Sequence, residues 1–221
     1  MNYLVAISNL GDLAATGPIA IGMSFIFGGQ RAWHFVLKWT LLLFLGMCLV
    51  TVSKIAFIGW GIGNQTLDFT GFSGHAMRAA AIFPVLGFLI FQKYSRSMQT
   101  FAVLFCTALS VMIAFSRFML QAHSISEVIS GWCLGAAISL YFIDTLQREH
   151  APSPSSFLFA LWLSIWLLPF AFITQLDPTP TQRWLVDISL KLSGHSQAFV
   201  RENWSRNNLK KEKQDNGSVL H

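Results

Sequence analysis

Apolar residues fall into six runs along the chain, and short polar connections separate them. The runs cover about residues 13–29, 34–58, 76–92, 99–119, 125–146 and 156–176. Each run is close to the roughly 20 apolar residues that a helix needs to cross the core of a bilayer. The runs are uniformly apolar, whereas the strands of a membrane barrel alternate. The pattern therefore predicts an all-α fold, a polytopic membrane helix bundle with about six transmembrane helices.

The apolar pattern stops near the C-terminus. Asp177-Pro178-Thr179-Pro180 is typical of a helix end, and polar residues follow it to His221. We therefore predict a transmembrane helical domain over residues 1–176 and a polar C-terminal tail over residues 177–221. Within the tail, residues 210–217 have the composition of a disordered segment.

The amino-acid composition argues against some classes of binding partner. Hydrophobic residues make up 53% of the chain and charged residues 11%, compared with about 25% charged in a soluble domain. The net charge of +5 comes from connections and the tail rather than from a basic helix face, so no nucleic acid is expected. The chain has no Gly-x-x-x-x-Gly-Lys-Ser/Thr motif, so no nucleotide is expected either. Membrane lipids are the expected surroundings.

Basic residues in the short connections predict the orientation. They fall on one side of a six-helix arrangement: Arg31, Lys38, Lys93, Arg96 and Arg148. The positive-inside rule assigns that side to the cytoplasm. The connections that lead into the third and fifth runs then face the exterior, which is the periplasm if the membrane is a bacterial inner membrane.

Ionisable residues close to membrane depth are rare and mark functional sites. In this chain they are Lys54, Asp68, His75, Arg78, Arg117, His123, Glu127 and Asp144. All except Asp144 lie at ends of runs that face the same side. This clustering predicts one polar site on the exterior side of the bundle.

Spacing within this cluster favours an anion site with two histidines. His75 and Arg78 are three residues apart and share a helix face. His123 and Glu127 are four apart, so the carboxylate can hold the imidazole in one tautomer. Ser73-Gly74-His75 stands at a predicted helix N-terminus, where N–H groups and the helix dipole attract anions.

Such a site suits phosphoryl transfer. Cationic side chains neutralise the phosphate oxygens, one histidine attacks phosphorus and the other protonates the leaving oxygen. The sequence has no His-x-x-x-His motif and no carboxylate cluster. We therefore expect neither a metal nor an organic cofactor.

The motifs resemble those of the type 2 phosphatidic acid phosphatase superfamily, which are Lys-x6-Arg-Pro, Pro-Ser-Gly-His and Ser-Arg-x5-His-x3-Asp. Phe72-Ser73-Gly74-His75 matches the second motif. Ser116-Arg117, followed by His123 and Glu127, matches the third. Lys54 is the candidate for the lysine of the first motif. The resemblance covers about residues 34–146.

The resemblance implies a role for each matched residue. His123 would be the nucleophile that forms a phosphohistidine, Glu127 its orienting partner, and His75 the general acid. The phosphate-binding residues would be Lys54, Ser73, Gly74 and Arg117.

Three positions depart from the family pattern. Gly61-Ile62 stands where the first motif has Arg-Pro, Phe72 replaces proline, and Glu127 replaces aspartate. One phosphate-binding arginine is therefore missing. Our hypothesis is that Arg78, one turn beyond His75, supplies that charge.

The expected function is an integral membrane phosphatase that hydrolyses a lipid-linked phosphomonoester or pyrophosphate. Two alternatives stay open. One is a non-catalytic relative that binds or transports a phosphorylated lipid. The other is a small transporter with a His/Glu proton relay, which would not need an anion-binding helix start. The sequence does not choose between a monoester and a pyrophosphate, and it does not predict the oligomeric state.

Overall fold

The structure, a computed structural model, describes residues 2–153 and 181–201 and is helical. Its helices are α1 (Asn2–Asn9), α2 (Leu13–Gly29), α3 (Trp33–Trp60), α4 (Gly74–Phe91), α5 (Arg96–Met119), α6 (Ile125–Arg148) and α7 (Thr181–Ser193). The described residues contain no strand, only an isolated bridge between Asn64 and Phe69. The predicted all-α fold is confirmed.

Five of the predicted spans have counterparts in the part of the chain that the structure describes. Stretches long and apolar enough to cross a bilayer are Tyr3–Gly29, Trp33–Trp60, Gly74–Phe91, Arg96–Met119 and Ile125–Arg148. The first extends further toward the N-terminus than the predicted run because it includes α1. The sixth predicted run, residues 156–176, lies outside the described residues. The predicted boundary at residue 176 also lies outside them and stays a prediction.

The chain forms two compact units. The first comprises Met1–Val50 and Phe72–Asp177, and the second comprises Thr51–Gly71 and Pro178–His221. The predicted phosphatase motifs two and three belong to the first unit.

Helix α4 is the centre of the first unit. It packs against both α5 and α6 and is buried along most of its length. A run of small residues, Ala79-Ala80-Ala81, lets its neighbours approach closely. In contrast, α5 exposes large apolar side chains such as Phe101 and Phe105, as expected of a helix that faces lipid.

Two glycines of α6 allow that helix to lie directly against the backbone of α4. A Cβ atom at Gly131 would lie 2.5 Å from the carbonyl oxygen of Ser73. A Cβ atom at Gly135, one turn further, would overlap the carbonyl oxygen of Met77. Residues four apart lie on the same helix face, so both glycines serve one contact. This contact fixes the start of α4 against the start of α6.

The second unit contains the last turns of α3, the connection up to Gly71, and α7. Helix α7 lies in the tail, for which the sequence predicted a polar, partly disordered segment. The backbone N–H of Phe199 donates to the carbonyl oxygen of Ile58 at 2.9 Å. An ion pair of 3.1 Å joins Arg201 to Asp68. The described part of the tail is therefore ordered against the end of α3.

We predict that Gly135→Ala destabilises the protein because its methyl group would overlap the backbone of α4. The expected loss in free energy of unfolding is about 2 kcal/mol, measured by denaturation in mixed micelles. Gly17→Ala is the matched control, since its Cβ would meet only a leucine methyl group at 3.7 Å. Equal stability of the two variants would contradict the close α4–α6 contact.

Candidate active site

One end of the first unit collects most of the predicted site residues. The starts of α4 and α6, the end of α5 and the junction between α1 and α2 meet there. The backbone N–H of Ser73, just before α4, donates to the carbonyl oxygen of Glu127 in α6 at 3.0 Å. This hydrogen bond joins the second sequence motif to the third.

A capping box at the start of α6 holds the carboxylate of Glu127. The Ser124 hydroxyl accepts the backbone N–H of Glu127 at 3.4 Å, and Oε2 of Glu127 accepts the backbone N–H of Ser124 at 3.3 Å. The Glu127 side chain is only 1% exposed. The local backbone therefore fixes the position of the carboxylate independently of its contact with His123.

The same carboxylate oxygen contacts His123. Oε2 of Glu127 lies 2.7 Å from Nδ1 of His123. A carboxylate at this position favours the tautomer with hydrogen on Nδ1, which leaves the lone pair on Nε2. It also stabilises positive charge on the ring. The pair has the geometry of an oriented histidine nucleophile.

The N-terminus of α4 has the features of an oxyanion site. The first N–H groups of an α-helix lack partners within the helix, and the helix dipole favours an anion there. The hydroxyl of Ser73 is buried, does not cap the helix, and has no hydrogen-bond partner among the described residues. A buried hydroxyl without a partner is destabilising, which is expected where a ligand oxygen completes the bond.

Arg78 lies beside this helix start. A Cβ atom at Gly74 would be 3.2 Å from its Nη1 atom, so the glycine leaves room for the guanidinium. The Nε and Nη2 atoms of Arg78 both donate to the carbonyl oxygen of Gly11, at 3.3 and 3.0 Å. The hypothesis that Arg78 replaces the missing motif arginine stays a prediction, and its position beside Gly74 is compatible with it.

Arg117 approaches from the last turn of α5. Its Nη1 atom donates to the Ser8 hydroxyl at 2.9 Å. Its Nε atom is buried and has no hydrogen-bond partner within the described residues. Arg117 and Arg78 both lie close enough to His75 to interact with it electrostatically.

Asp12 is a site residue that the sequence analysis missed. It caps the start of α2, where Oδ1 accepts the backbone N–H of Ala14 at 3.0 Å. Its Oδ2 atom lies 3.3 Å from Nε2 of His75. One signal was available, because an aspartate just before an apolar run marks a helix start. That signal concerns the cap alone and does not point to His75.

The site brings basic, acidic and imidazole groups together. Two arginines and two histidines lie near two carboxylates, one of which, Glu127, is already held by backbone and His123. The side chain of His75 is 21% exposed and that of His123 is 12% exposed, so both stay accessible. A helix N-terminus beside two arginines and two accessible histidines can bind a phosphate group and exchange a proton with it.

Lys54 differs from the other predicted residues because it belongs to the second unit. It contacts Gly71, where a Cβ atom would lie 3.1 Å from Cγ of Lys54. Its role in phosphate binding stays a prediction. The predicted residues of the first unit are Ser73, Gly74, His75, Arg78, Arg117, His123 and Glu127.

Comparisons with known proteins support the family that the motifs suggest. The model of the PAP2 superfamily matches residues 35–151. The chain is also similar to a protein of Klebsiella pneumoniae described as an uncharacterized 22.5 kDa protein in the cps region, with 31% identity over 206 residues. That alignment covers 91% of this chain and 96% of the relative. No solved structure matches the chain.

The match to the family model includes α4, α5 and α6 and therefore both motifs described above. Members of this superfamily are helical membrane proteins of the phosphatase type. The chain belongs to the PAP2 superfamily.

Proposed function

We propose that this protein hydrolyses a phosphomonoester or a pyrophosphate on a lipid through a phosphohistidine intermediate. The observation that carries the proposal is the hydrogen-bonded pair of His123 and Glu127, joined through the backbone to the anion-binding start of α4. An oriented imidazole next to an anion site is what nucleophilic attack on phosphorus requires.

The substrate phosphate would bind at the first turn of α4. The backbone N–H groups, the Ser73 hydroxyl and the Arg117 guanidinium would donate to its oxygens, and Arg78 would add charge beside Gly74. Lys54 is a further candidate for this role. In this scheme these groups neutralise the charge that grows on the equatorial oxygens in the transition state.

The reaction would proceed in two steps. Nε2 of His123 attacks phosphorus, the bond from phosphorus to the leaving oxygen breaks, and His75 donates a proton to that oxygen. Glu127 stabilises the positive ring of the intermediate. Water then attacks phosphorus, gives a proton to His75, and displaces His123 as the P–N bond breaks.

The substrate class follows from the position of the site at the ends of apolar helices. A phosphorylated lipid can present its head group there while its chains stay in the bilayer. Undecaprenyl pyrophosphate, phosphatidate, phosphatidylglycerophosphate and lipid A phosphates are the candidates. The basic connections favour an exterior site, which is periplasmic if the membrane is a bacterial inner membrane.

A second candidate is a non-catalytic relative that binds or transports a phosphorylated lipid. It is favoured by Gly61-Ile62, which stands where the first motif has Arg-Pro. Binding needs only the arginines and the start of α4, whereas hydrolysis also needs His123.

We expect His123→Ala to abolish phosphate release, because without the imidazole no phosphohistidine forms. The purified protein in detergent with a chelator would be offered each candidate lipid, and inorganic phosphate would be measured. His34→Ala is the matched control, since His34 is exposed and pairs with Glu149 outside the site. Binding of a lipid phosphate by the wild type without any release would favour the non-catalytic relative instead.

We expect Arg78→Ala to lower kcat/KM by about 100-fold, the usual effect of losing one charge-stabilising donor. Arg78→Lys keeps the charge but loses the paired donors to Gly11, so it should recover part of the activity. Thermal melting of each variant separates this effect from unfolding. Unchanged activity in a folded Arg78→Ala variant would remove Arg78 from the phosphate site.

We expect Asp12 to act as a positioning residue for His75, the proposed general acid. Asp12→Asn keeps a good helix cap, removes the negative charge and replaces one carboxylate oxygen by an amide nitrogen. Its kcat/KM, which reports the step in which the leaving group departs, should fall about tenfold on a lipid phosphate, whose alkoxide needs a proton to leave. On p-nitrophenyl phosphate, whose phenolate leaves without a proton, the variant should match the wild type.

His75→Ala should show the same dependence on the leaving group, with a larger loss. His123→Ala should lose activity on both substrates, because the nucleophile is needed for each. A loss of kcat/KM in Asp12→Asn that is equal on the two substrates would contradict a role in proton donation through His75.

A further inference from the structure

Helix α7, in the second unit, has three distinct faces. The first packs against the protein and includes Ser189, which is fully buried, and Leu185 and Ser193, which are partly buried. The other two faces are exposed stripes of opposite chemistry. A helix with one packed face, one apolar stripe and one charged stripe is typical of a segment that contacts protein, lipid and water at the same time.

The apolar stripe consists of Trp184, Ile188 and Leu192. These residues are four apart, so they line one face of the helix. Their exposed fractions are 60%, 46% and 63%. The described protein therefore does not cover them, and water would make this exposure unfavourable by about 25 cal/mol per Å² of apolar surface.

The charged stripe consists of Arg183, Asp187 and Lys191, also four residues apart and exposed. At about 100° per residue, this stripe and the apolar stripe lie on opposite sides of the packed face. When the packed face contacts the protein, one stripe can therefore face lipid while the other faces water.

The position of α7 along α3 indicates what covers the apolar stripe. A Cβ atom at Gly59 would lie 3.2 Å from the carbonyl oxygen of Ser189, and Nδ1 of His195 lies 2.8 Å from the carbonyl oxygen of Gly59. Gly59 is next to the last residue of α3, Trp60, which is 46% exposed. Since α3 is a membrane-spanning helix, its end lies at the bilayer surface, where tryptophan is enriched.

We infer that α7 is an interfacial helix whose Trp184, Ile188 and Leu192 insert into the lipid surface at the level where α3 ends. The partner is the bilayer itself, at the boundary between head groups and acyl chains. Arg183 and Lys191 lie on the water-facing stripe, at the level of the lipid phosphates. The contacts that place α7 beside the end of α3 lie within the second unit, and none of them involves the residues proposed for phosphatase activity.

The size of the apolar stripe argues against a second copy of the chain as its occupant. A stable protein interface buries roughly 800 Å² on each partner. Three side chains on a single helix face provide only a small part of that area. A bilayer has no such requirement, because each apolar side chain partitions into it separately.

Substituted cysteines would test the inference in the full-length protein. Ile188→Cys and Asp187→Cys are neighbours on the two exposed stripes and form a matched pair. Each variant would be placed in lipid nanodiscs that hold one chain, and the rate of reaction with a charged, membrane-impermeant maleimide would be measured. The parent protein gives the background from Cys48, Cys106 and Cys133.

We expect the new thiol of Asp187→Cys to react fast and that of Ile188→Cys to react at least about tenfold more slowly, because a thiolate does not form readily within lipid. In denaturing detergent the two rates should become equal. Equal rates in nanodiscs would overturn the inference. Protection at position 188 that appears only in vesicles with several chains, and not in single-chain discs, would overturn it in favour of a second copy.

Discussion

The contact between the starts of α4 and α6 is the constraint on which the site depends. Glu127 contributes to it twice, since its carbonyl oxygen accepts the N–H of Ser73 and its carboxylate holds His123. The contact is possible only because Gly131 and Gly135 allow one backbone to lie against the other. In a bilayer, where apolar surface has little reason to prefer protein over lipid, such close backbone packing is what holds helices together. Glu127 therefore serves both the packing of α6 against α4 and the proposed chemistry of His123.

The junction between α1 and α2 contributes hydrogen bonds and an ion pair to the charged side chains of the site. Arg78 donates to the carbonyl oxygen of Gly11, Arg117 donates to Ser8, and Asp12 lies 3.3 Å from His75. Each of these bonds joins a charged side chain of the site to the junction between α1 and α2. The junction thus stabilises two guanidinium groups that would otherwise be buried with fewer partners. It also supplies the only carboxylate that pairs with His75 among the residues described.

The sequence predicts the parts of this arrangement that are local. Apolar runs of sufficient length predict the spanning helices, and a spacing of four predicts the pair of His123 and Glu127, because helix geometry alone brings those residues together. The contact of Asp12 with His75 could not be predicted in this way, since it joins two helices through tertiary packing. Helix α7 was missed for another reason. The average composition of the tail is polar, and only the spacing of Trp184, Ile188 and Leu192 indicates an amphipathic helix.

The role proposed for Arg78 depends on how its guanidinium is held. Side chains of an α-helix tilt toward its N-terminus, so an arginine placed one turn into α4 can extend back toward the first N–H groups of its own helix. In this protein the carbonyl oxygen of Gly11 accepts both Nε and Nη2 of Arg78, which directs the remaining nitrogen, Nη1, to within 3.2 Å of the position that a Cβ atom would occupy at Gly74. The orientation therefore depends on the backbone of the α1–α2 junction and on Met47, whose Sδ atom lies 4.0 Å from Nη1. A chain that replaced the motif arginine in this way would need both its N-terminal segment and a glycine at position 74, because a larger side chain would displace the guanidinium.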